Sequence, residues 1–194
     1  MTTVLKTEKS SLVLHDLEPE IVQLIEKCVG VVDPELDVNP PIMIFGNTCY
    51  QHRSIGFYSN TSAGYNYSTT ITPSKKLHGC LSQLLEYVNN KFAGEFNGIL
   101  INKYATGEDY IGKHSDDEHG LDSKVGVIAI SYGAVRKFRI RNKETGQKVL
   151  DVSTDPKKII QMAGQFQKEF THEVPIEKKV NGTRYSFTFR KHLK

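Results

Sequence analysis

The chain has 194 residues and carries 25 Lys and Arg against 22 Asp and Glu, which gives a formal net charge of +3. This length favours one domain, and the mildly basic charge permits a polyanionic partner without requiring one. No apolar run approaches the roughly eighteen residues that cross a bilayer, and the N-terminus lacks the apolar core of a secretory signal. Three cysteines without CxxC spacing (Cys28, Cys49, Cys80) favour reduced thiols and a cytoplasmic or nuclear protein.

Two helices are predicted in the first half of the chain. Residues 1–10 are polar and predict a flexible tail. The segment from Pro19 to Val29 has apolar residues at helical spacing, with Pro19 suited to the first turn and Gly30 to a stop. A second apolar stripe predicts a helix from about Leu77 to Phe92.

Between these helices, Phe57 to Ile71 is rich in Tyr, Ser, Thr, Asn and Gly, which predicts hairpins or ordered loops. Its aromatic residues could pack as an ordinary edge hairpin. Alternatively, Phe57, Tyr58, Tyr65 and Tyr67 could form a stacking surface for a flipped or single-stranded base.

After residue 96 the chain becomes a series of short β runs separated by turn signals. This spacing is typical of a sandwich or jelly roll, with the two helices covering one sheet from outside. We therefore predict a single domain, 1–194, that is mainly β with flanking helices. The predicted strands are Gly98–Tyr104, Val125–Ser131, Lys137–Arg141, Lys148–Val152, Lys158–Met162, Phe170–Val174 and Thr183–Arg190.

A candidate metal site consists of His114, Asp116 and His172. In an extended segment, His114 and Asp116 point to the same face and can reach one ion. His172 lies in a separate predicted strand. Two imidazoles and one carboxylate form the ligand set of non-haem iron(II) oxygenases. An HxD tripeptide alone is more typical of a solvated surface loop than of a metal site, and His172 alone is consistent with a core histidine.

The last predicted strand, RYSFTFR, alternates cleanly. Tyr185, Phe187 and Phe189 share a face that belongs in the core. The opposite face carries Arg184, Ser186, Thr188 and Arg190, which suits either a solvated surface or recognition of a carboxylate. Asn102 and Tyr104 share a face of another strand and add an amide and a phenol.

The run from Arg136 to Lys143 also alternates. Lys137, Arg139 and Arg141 share one face, and this stripe of three cations suits a phosphate backbone. A solubilising outer face is the alternative.

Four separated segments, FNGILINKYATGEDYIGKHSDDE, ISYGAVRKFRIR, MAGQFQKEFTHEVP and RYSFTFR, occur in an order that resembles the AlkB family of nucleic-acid dealkylating dioxygenases. The resemblance covers about residues 50–191, and the HSDDE form is closer to the eukaryotic members. It implies a double-stranded β-helix (jelly-roll) fold and a catalytic iron(II) held by His114, Asp116 and His172. It also implies 2-oxoglutarate as co-substrate and dioxygen as oxidant.

The resemblance further implies roles for single residues. Arg184 is expected on the distal carboxylate of 2-oxoglutarate and Glu118 on the exocyclic amine of a damaged base, under a lid formed by Phe57 to Tyr67. The other 2-oxoglutarate contacts are expected from Asn102, Tyr104, Ser186, Thr188 and Arg190, and a substrate contact from Arg53. The aromatic and cationic patterns described above predict further substrate contacts from Phe57, Tyr58, Tyr65, Tyr67, Lys137, Arg139 and Arg141.

The implied reaction is oxidative demethylation of bases such as 1-methyladenine and 3-methylcytosine in DNA or RNA, with release of succinate and formaldehyde. The expected enzyme is a monomer. Two features depart from the family pattern: Ser186 stands where asparagine is usual, and Gln51-His52 precede Arg53 where a proline is common. A dioxygenase acting on a protein side chain or a small molecule is the main alternative, and an inactive nucleic-acid-binding module is another.

Overall fold

A computed structural model describes residues 1–44, 46–67, 70–117, 120–122 and 125–193. The helices are α1 (Pro19–Val32), α2 (Gly79–Phe92), the short α3 (Phe166–Glu169) and a 3-10 turn (Asp33–Glu35). The strands are β1 (Thr2–Lys6), β2 (Ser10–Asp16), β3 (Pro41–Ile44), β4 (Asn47–Tyr50), β5 (Ser54–Tyr58), β6 (Gly64–Tyr67), β7 (Thr70–Lys75), β8 (Gly98–Tyr104), β9 (Ile111–His114), β10 (Val127–Gly133), β11 (Lys137–Asn142), β12 (Lys148–Ser153), β13 (Lys158–Gly164), β14 (Phe170–Val174) and β15 (Arg184–Arg190).

The described strands form a major sheet in the order β1-β2-β13-β10-β15-β8-β5-β7-β6 and a minor sheet in the order β12-β11-β14-β9. Strands β3 and β4 form a separate two-stranded ribbon. The major and minor sheets share an apolar core that includes Ala129 and Ile160 from one and Phe138 and Val174 from the other. Mainly β architecture with flanking helices, and the jelly-roll arrangement of two facing sheets, are therefore confirmed.

Helices α1 and α2 cover the outer face of the major sheet. Their buried stripes consist of Ile25, Cys28 and Val32 on α1 and Cys80, Leu81, Leu84 and Val88 on α2. Both stripes pack against Tyr185, Phe187 and Phe189 of β15. Helix α1 continues past Gly30, the predicted stop, because Val32 extends the buried stripe by another turn. Among the described residues, no helix is both long and apolar enough to cross a membrane.

Strand β15 has the helix-covered core on one face and the candidate site on the other. Its register sets Ser186 beside Ser131 of β10 on one side and Asn102 of β8 on the other. Because successive side chains point to opposite faces, the aromatic residues enter the helix-covered core. The face with Arg184 and Arg190 consequently points between the two sheets, as the alternation predicted.

The N-terminus differs from its prediction. Residues 1–10 were expected to be flexible, but β1 pairs with β2, and β2 pairs with β13 at the edge of the major sheet. The hydroxyls of Thr7 and Ser10 both donate to the carboxylate of Glu169, and Leu12 is fully buried. The polar composition predicted a flexible tail, but a strand near the edge of a sheet buries only part of one face and can therefore contain many polar residues.

Candidate active site

The three candidate metal ligands come together on the minor sheet. His114 ends β9 and lies directly across from His172 of β14 in the strand pairing. Asp116 follows β9 by two residues. One potential ligand atom from each of the three side chains lies within 4.8 Å of the other two. The Nε2 atoms of His114 and His172 are each 3.7 Å from a carboxylate oxygen of Asp116.

Both imidazoles are held in their neutral form. Burial lowers the pKa of His114, although Asp116 and the carbonyl of Gly112 oppose the shift. Burial and the neighbouring His114 lower the pKa of His172 to about 3. The Nδ1–H of His114 donates to the Gly112 carbonyl at 2.9 Å. This bond fixes the tautomer and leaves Nε2 with the lone pair that a metal needs.

Asp116 is held as a carboxylate. Burial would raise its pKa, but Arg190 and the two histidines outweigh that effect and lower it to about 2. Nη2 of Arg190 donates to Oδ1 at 2.6 Å. The second oxygen, Oδ2, is buried and has no hydrogen-bond partner among the described residues. Two neutral imidazoles and a carboxylate with an unsatisfied oxygen are donors that fit a divalent iron ion.

A pocket with about 530 Å³ of empty space, including its mouth, extends from these ligands between the sheets. Arg184 lines it at the far end of β15 and is 3% exposed. Its Nη2 donates to the hydroxyl of Ser131 at 2.9 Å, and its guanidinium carbon lies 5.1 Å from the centre of the Tyr104 ring. Its Nε and Nη1 are buried without a hydrogen-bond partner in the described part of the chain. A buried guanidinium with free donors fits an anionic ligand such as a carboxylate.

The remaining residues predicted for 2-oxoglutarate also line this pocket: Asn102, Tyr104, Ser186, Thr188 and Arg190. Two of these have partners that the sequence did not indicate. The amide oxygen of Asn102 accepts a hydrogen bond from Nε of Arg53 at 2.8 Å. Arg190 is engaged by Asp116, so the two arginines do not both present free guanidinium groups to one dicarboxylate.

Two tyrosines of β6 lie at the site: Tyr65 lines the pocket, and Tyr67 lies against His114 and Arg53. The Tyr65 ring centre lies 4.9 Å from the guanidinium carbon of Arg190. The Tyr67 ring meets His114 edge-on at 5.9 Å and lies 5.2 Å from the guanidinium carbon of Arg53. Arg53, Tyr65 and Tyr67 are therefore brought to the site. Glu118, the residue predicted to meet the base, lies outside the described residues.

Two predicted substrate residues are instead in the core, which corrects the prediction. Phe57 and Tyr58 are both fully buried. Phe57 packs against Tyr65, and Tyr58 points to the opposite face of β5, where its hydroxyl donates to Glu35 at 3.0 Å. The segment from Phe57 to Tyr67 is thus a buried strand followed by a hairpin arm, and only the arm reaches the pocket.

The cationic stripe of β11 also needs correction, because acidic residues of β12, of β14 and of the segment after β14 pair with it. Arg139 donates from Nε to Asp151 at 2.8 Å and from Nη2 at 3.1 Å. Arg141 donates to Glu173 at 2.9 Å, and Lys137 lies 3.5 Å from Glu177. A stripe neutralised in this way is a salt-bridge network and not a free surface for phosphates.

Sequence reasoning missed two residues that support the site. Ser131 holds Arg184, and the side-chain oxygen of Gln167 accepts the backbone N–H of Asp116 at 2.9 Å. Ser131 is placed beside this part of the site by the pairing of β10 with β15, which sequence patterns did not indicate. No sequence pattern indicated Gln167, since it lies in a short helix between strands.

Residues 18–190 match the family model described as the 2OG-Fe(II) oxygenase superfamily. The chain is 29% identical over 181 residues to the DNA oxidative demethylase ALKBH2 of Bos taurus and to that of Homo sapiens. These alignments cover 90% of the chain and 64% and 68% of the two relatives. It is 30% identical over 135 residues to the human alpha-ketoglutarate-dependent dioxygenase alkB homolog 3, covering 65% of the chain and 47% of that protein.

A solved structure of OsALKBH1 has the same fold, with a TM-score of 0.58 and 14% identity, and the match covers 93% of this chain and 97% of that one. The chain spans about two thirds of the length of its ALKBH2 relatives. Relatives named for ALKBH2 and alkB homolog 3 confirm the resemblance to the AlkB family. Because the family model covers most of the chain, including all three candidate ligands, the chain belongs to the 2OG-Fe(II) oxygenase superfamily.

Proposed function

We propose that this chain is an iron(II)- and 2-oxoglutarate-dependent dioxygenase that oxidatively demethylates N-alkylated bases, of the 1-methyladenine and 3-methylcytosine type, in DNA or RNA. One observation carries the proposal: His114, Asp116 and His172 converge at a pocket whose other end holds the buried Arg184 with two unused donors. One pocket therefore offers sites for a divalent metal and for a small dicarboxylate. The ALKBH2 relatives are named as DNA demethylases, which supports the choice of substrate.

The metal would be held by Nε2 of His114, by His172 and by the carboxylate of Asp116. Iron(II) in this setting supplies the activation of dioxygen coupled to oxidative decarboxylation of 2-oxoglutarate. The protein contributes a neutral pair of imidazoles and a fixed carboxylate. Three protein ligands leave other positions of the ion open for the co-substrate and dioxygen.

The co-substrate would be held at its distal carboxylate by Arg184, with the Ser131 hydroxyl and the Tyr104 ring fixing that guanidinium. Fixing the guanidinium before the ligand arrives reduces the entropy lost on binding. Asn102, Ser186 and Thr188 line the same cavity and offer further polar groups. Ser186 replaces a longer amide of the family pattern, so we expect fewer hydrogen bonds from this position.

The methylated base would enter beside Tyr67, whose half-buried ring can stack on a planar ligand, with the buried Tyr65 lining the pocket next to it. A base with a blocked pairing edge leaves the duplex more easily than a normal one, which favours selection of the lesion. We assign Glu118 to the exocyclic amine of that base on the strength of the AlkB resemblance. We further expect a single domain, a monomer and a cytoplasmic or nuclear location.

The decisive experiment offers the enzyme methylated oligonucleotides and peptides together with iron(II), 2-oxoglutarate and air, followed by mass spectrometry. Loss of one methylene group from the oligonucleotide, abolished by His172→Ala, is expected. Gain of oxygen by a peptide, with the oligonucleotide unchanged, would replace the proposal with protein hydroxylation. DNA and RNA versions of the oligonucleotide, single- and double-stranded, identify the preferred nucleic acid.

A further inference from the structure

Asp116 lies beyond the strand ladder that orders the two histidines. The pairing of β9 with β14 ends at His114, so Asp116 is not fixed by sheet hydrogen bonds. Arg190 contacts its carboxylate, but a contact at the tip of a side chain does not fix the backbone beneath it. Something else must set the position of the Asp116 backbone relative to His172.

Gln167 contacts the Asp116 backbone directly. Its Oε1 accepts the backbone N–H of Asp116 at 2.9 Å, and its Nε2 lies 3.5 Å from the sulfur of Met162. The side chain is 6% exposed, and Met162 lines the central pocket. Both ends of the carboxamide are therefore engaged, so the oxygen stays directed at Asp116.

Two further contacts join the same pair of segments. The hydroxyl of Ser115 donates to the carbonyl of Phe170 at 2.9 Å. Nζ of Lys143 bridges the carboxylate of Asp117, at 2.5 Å, and the carbonyl of Gln167, at 3.1 Å. Residues 115–117 are thus attached to the chain that leads directly into β14 and His172. Gln167 is the member of this group that contacts a candidate metal ligand itself.

We propose that Gln167 is a positioning residue that sets Asp116 in its metal-binding place before the metal arrives. This inference rests on the proposed iron site. A carboxamide suits the task because it accepts from the buried N–H without adding charge beside Asp116. An apolar side chain of similar size would leave that N–H without an acceptor and release the segment. Partners that orient metal ligands in this way change metal affinity on the order of 10–100-fold when removed.

The test is an anaerobic titration with Co(II) alone, followed by its visible absorption, without 2-oxoglutarate or substrate. Gln167→Leu should bind Co(II) on the order of 10–100-fold more weakly than the unaltered protein. Gln167→Met keeps the length of the side chain without the oxygen acceptor and should bind Co(II) as weakly as Gln167→Leu. Gln165→Leu is the matched control, because Gln165 is exposed on the same turn, and it should bind Co(II) normally. Circular dichroism checks folding, and Gln167→Met replaces the leucine variant if that variant does not fold.

The outcomes separate this inference from the proposed function. If the unaltered protein binds Co(II) through His172 and Gln167→Leu binds it equally tightly, the role of Gln167 is wrong and the iron site stands. If Gln167→Met binds Co(II) as tightly as the unaltered protein while Gln167→Leu does not, the residue acts through packing and the hydrogen-bond role is wrong. If the unaltered protein does not bind Co(II), or binds it unchanged after His172→Ala, the iron site and the role of Gln167 both fall.

Discussion

Arg190 forms a buried ion pair with Asp116, with 2.6 Å between Nη2 and Oδ1 and side chains 5% and 1% exposed. The sequence predicted Arg190 as a contact for 2-oxoglutarate, whereas the structure directs it to a candidate metal ligand. An unpaired buried charge is costly, so removing one partner of this pair should lower the stability of the protein as well as change the metal site.

Replacing Arg190 with methionine should therefore destabilise the metal-free protein by about 3–5 kcal/mol, because Asp116 keeps its charge without a partner. Co(II) would supply the missing positive charge. It should raise the melting temperature of Arg190→Met by more than that of the unaltered protein. Thermal unfolding with and without Co(II) measures both effects, and equal shifts in the two proteins would refute the electrostatic role.

Arg184→Leu should weaken 2-oxoglutarate binding by about 1.5–3 kcal/mol, the usual contribution of hydrogen bonds to a charged group. Arg184→Lys keeps the charge without the planar fork and should bind with intermediate affinity. Calorimetric titration of the Co(II)-loaded protein measures the affinity. Metal binding should be unchanged in both variants, and an equal affinity for 2-oxoglutarate in all three proteins would move the co-substrate site away from Arg184.

Tyr58 and Tyr67 should behave differently although both were predicted to stack on the substrate. Tyr58→Phe removes the hydrogen bond to the half-exposed Glu35 and should cost about 0.5–1.5 kcal/mol of stability, the usual net contribution of one hydrogen bond. Turnover of methylated oligonucleotide should not change. Tyr67→Ala removes a half-buried ring beside His114 and should weaken oligonucleotide binding by about 1–3 kcal/mol. Weakened oligonucleotide binding in Tyr58→Phe would show that Tyr58 contacts the substrate after all.

Neutralising Lys137, Arg139 and Arg141 together should leave the salt dependence of oligonucleotide binding nearly unchanged. Each lost phosphate contact would reduce the slope of log affinity against log salt by about 0.9 on a duplex. The acidic partners of these cations make a smaller change the expected result. Binding measured across a salt series decides this. A slope reduced by the equivalent of two or three contacts would restore the strand to the nucleic-acid interface.

The fold was largely accessible from sequence because periodicity decides which face of a strand is buried. The alternation of β15 correctly separated Phe187 from Arg184, and β8 and β14 have the bounds that the sequence predicted. His114 and Asp116 lie close to His172, as expected, since β9 and β14 are neighbours. The strand features depend on short-range patterns, whereas the meeting of His172 with His114 was expected from the resemblance to the AlkB family.

Several other features that depend on partners distant in sequence were missed. The three cations of β11 looked free because Asp151, Glu173 and Glu177 come from other segments. Tyr58 was predicted to stack on the substrate because the sequence did not show which face of β5 its side chain occupies. Gln167 lies 51 residues from Asp116, and only the folded chain brings its amide to that backbone.

The most direct test of a shared metal and 2-oxoglutarate pocket is the visible absorption of the anaerobic protein after addition of iron(II) and then 2-oxoglutarate. We predict a charge-transfer band that requires both additions, disappears in His172→Ala, and needs more 2-oxoglutarate to develop in Arg184→Leu. Absence of this band in the unaltered protein, with iron binding verified independently, would contradict the assignment of metal and co-substrate to one pocket.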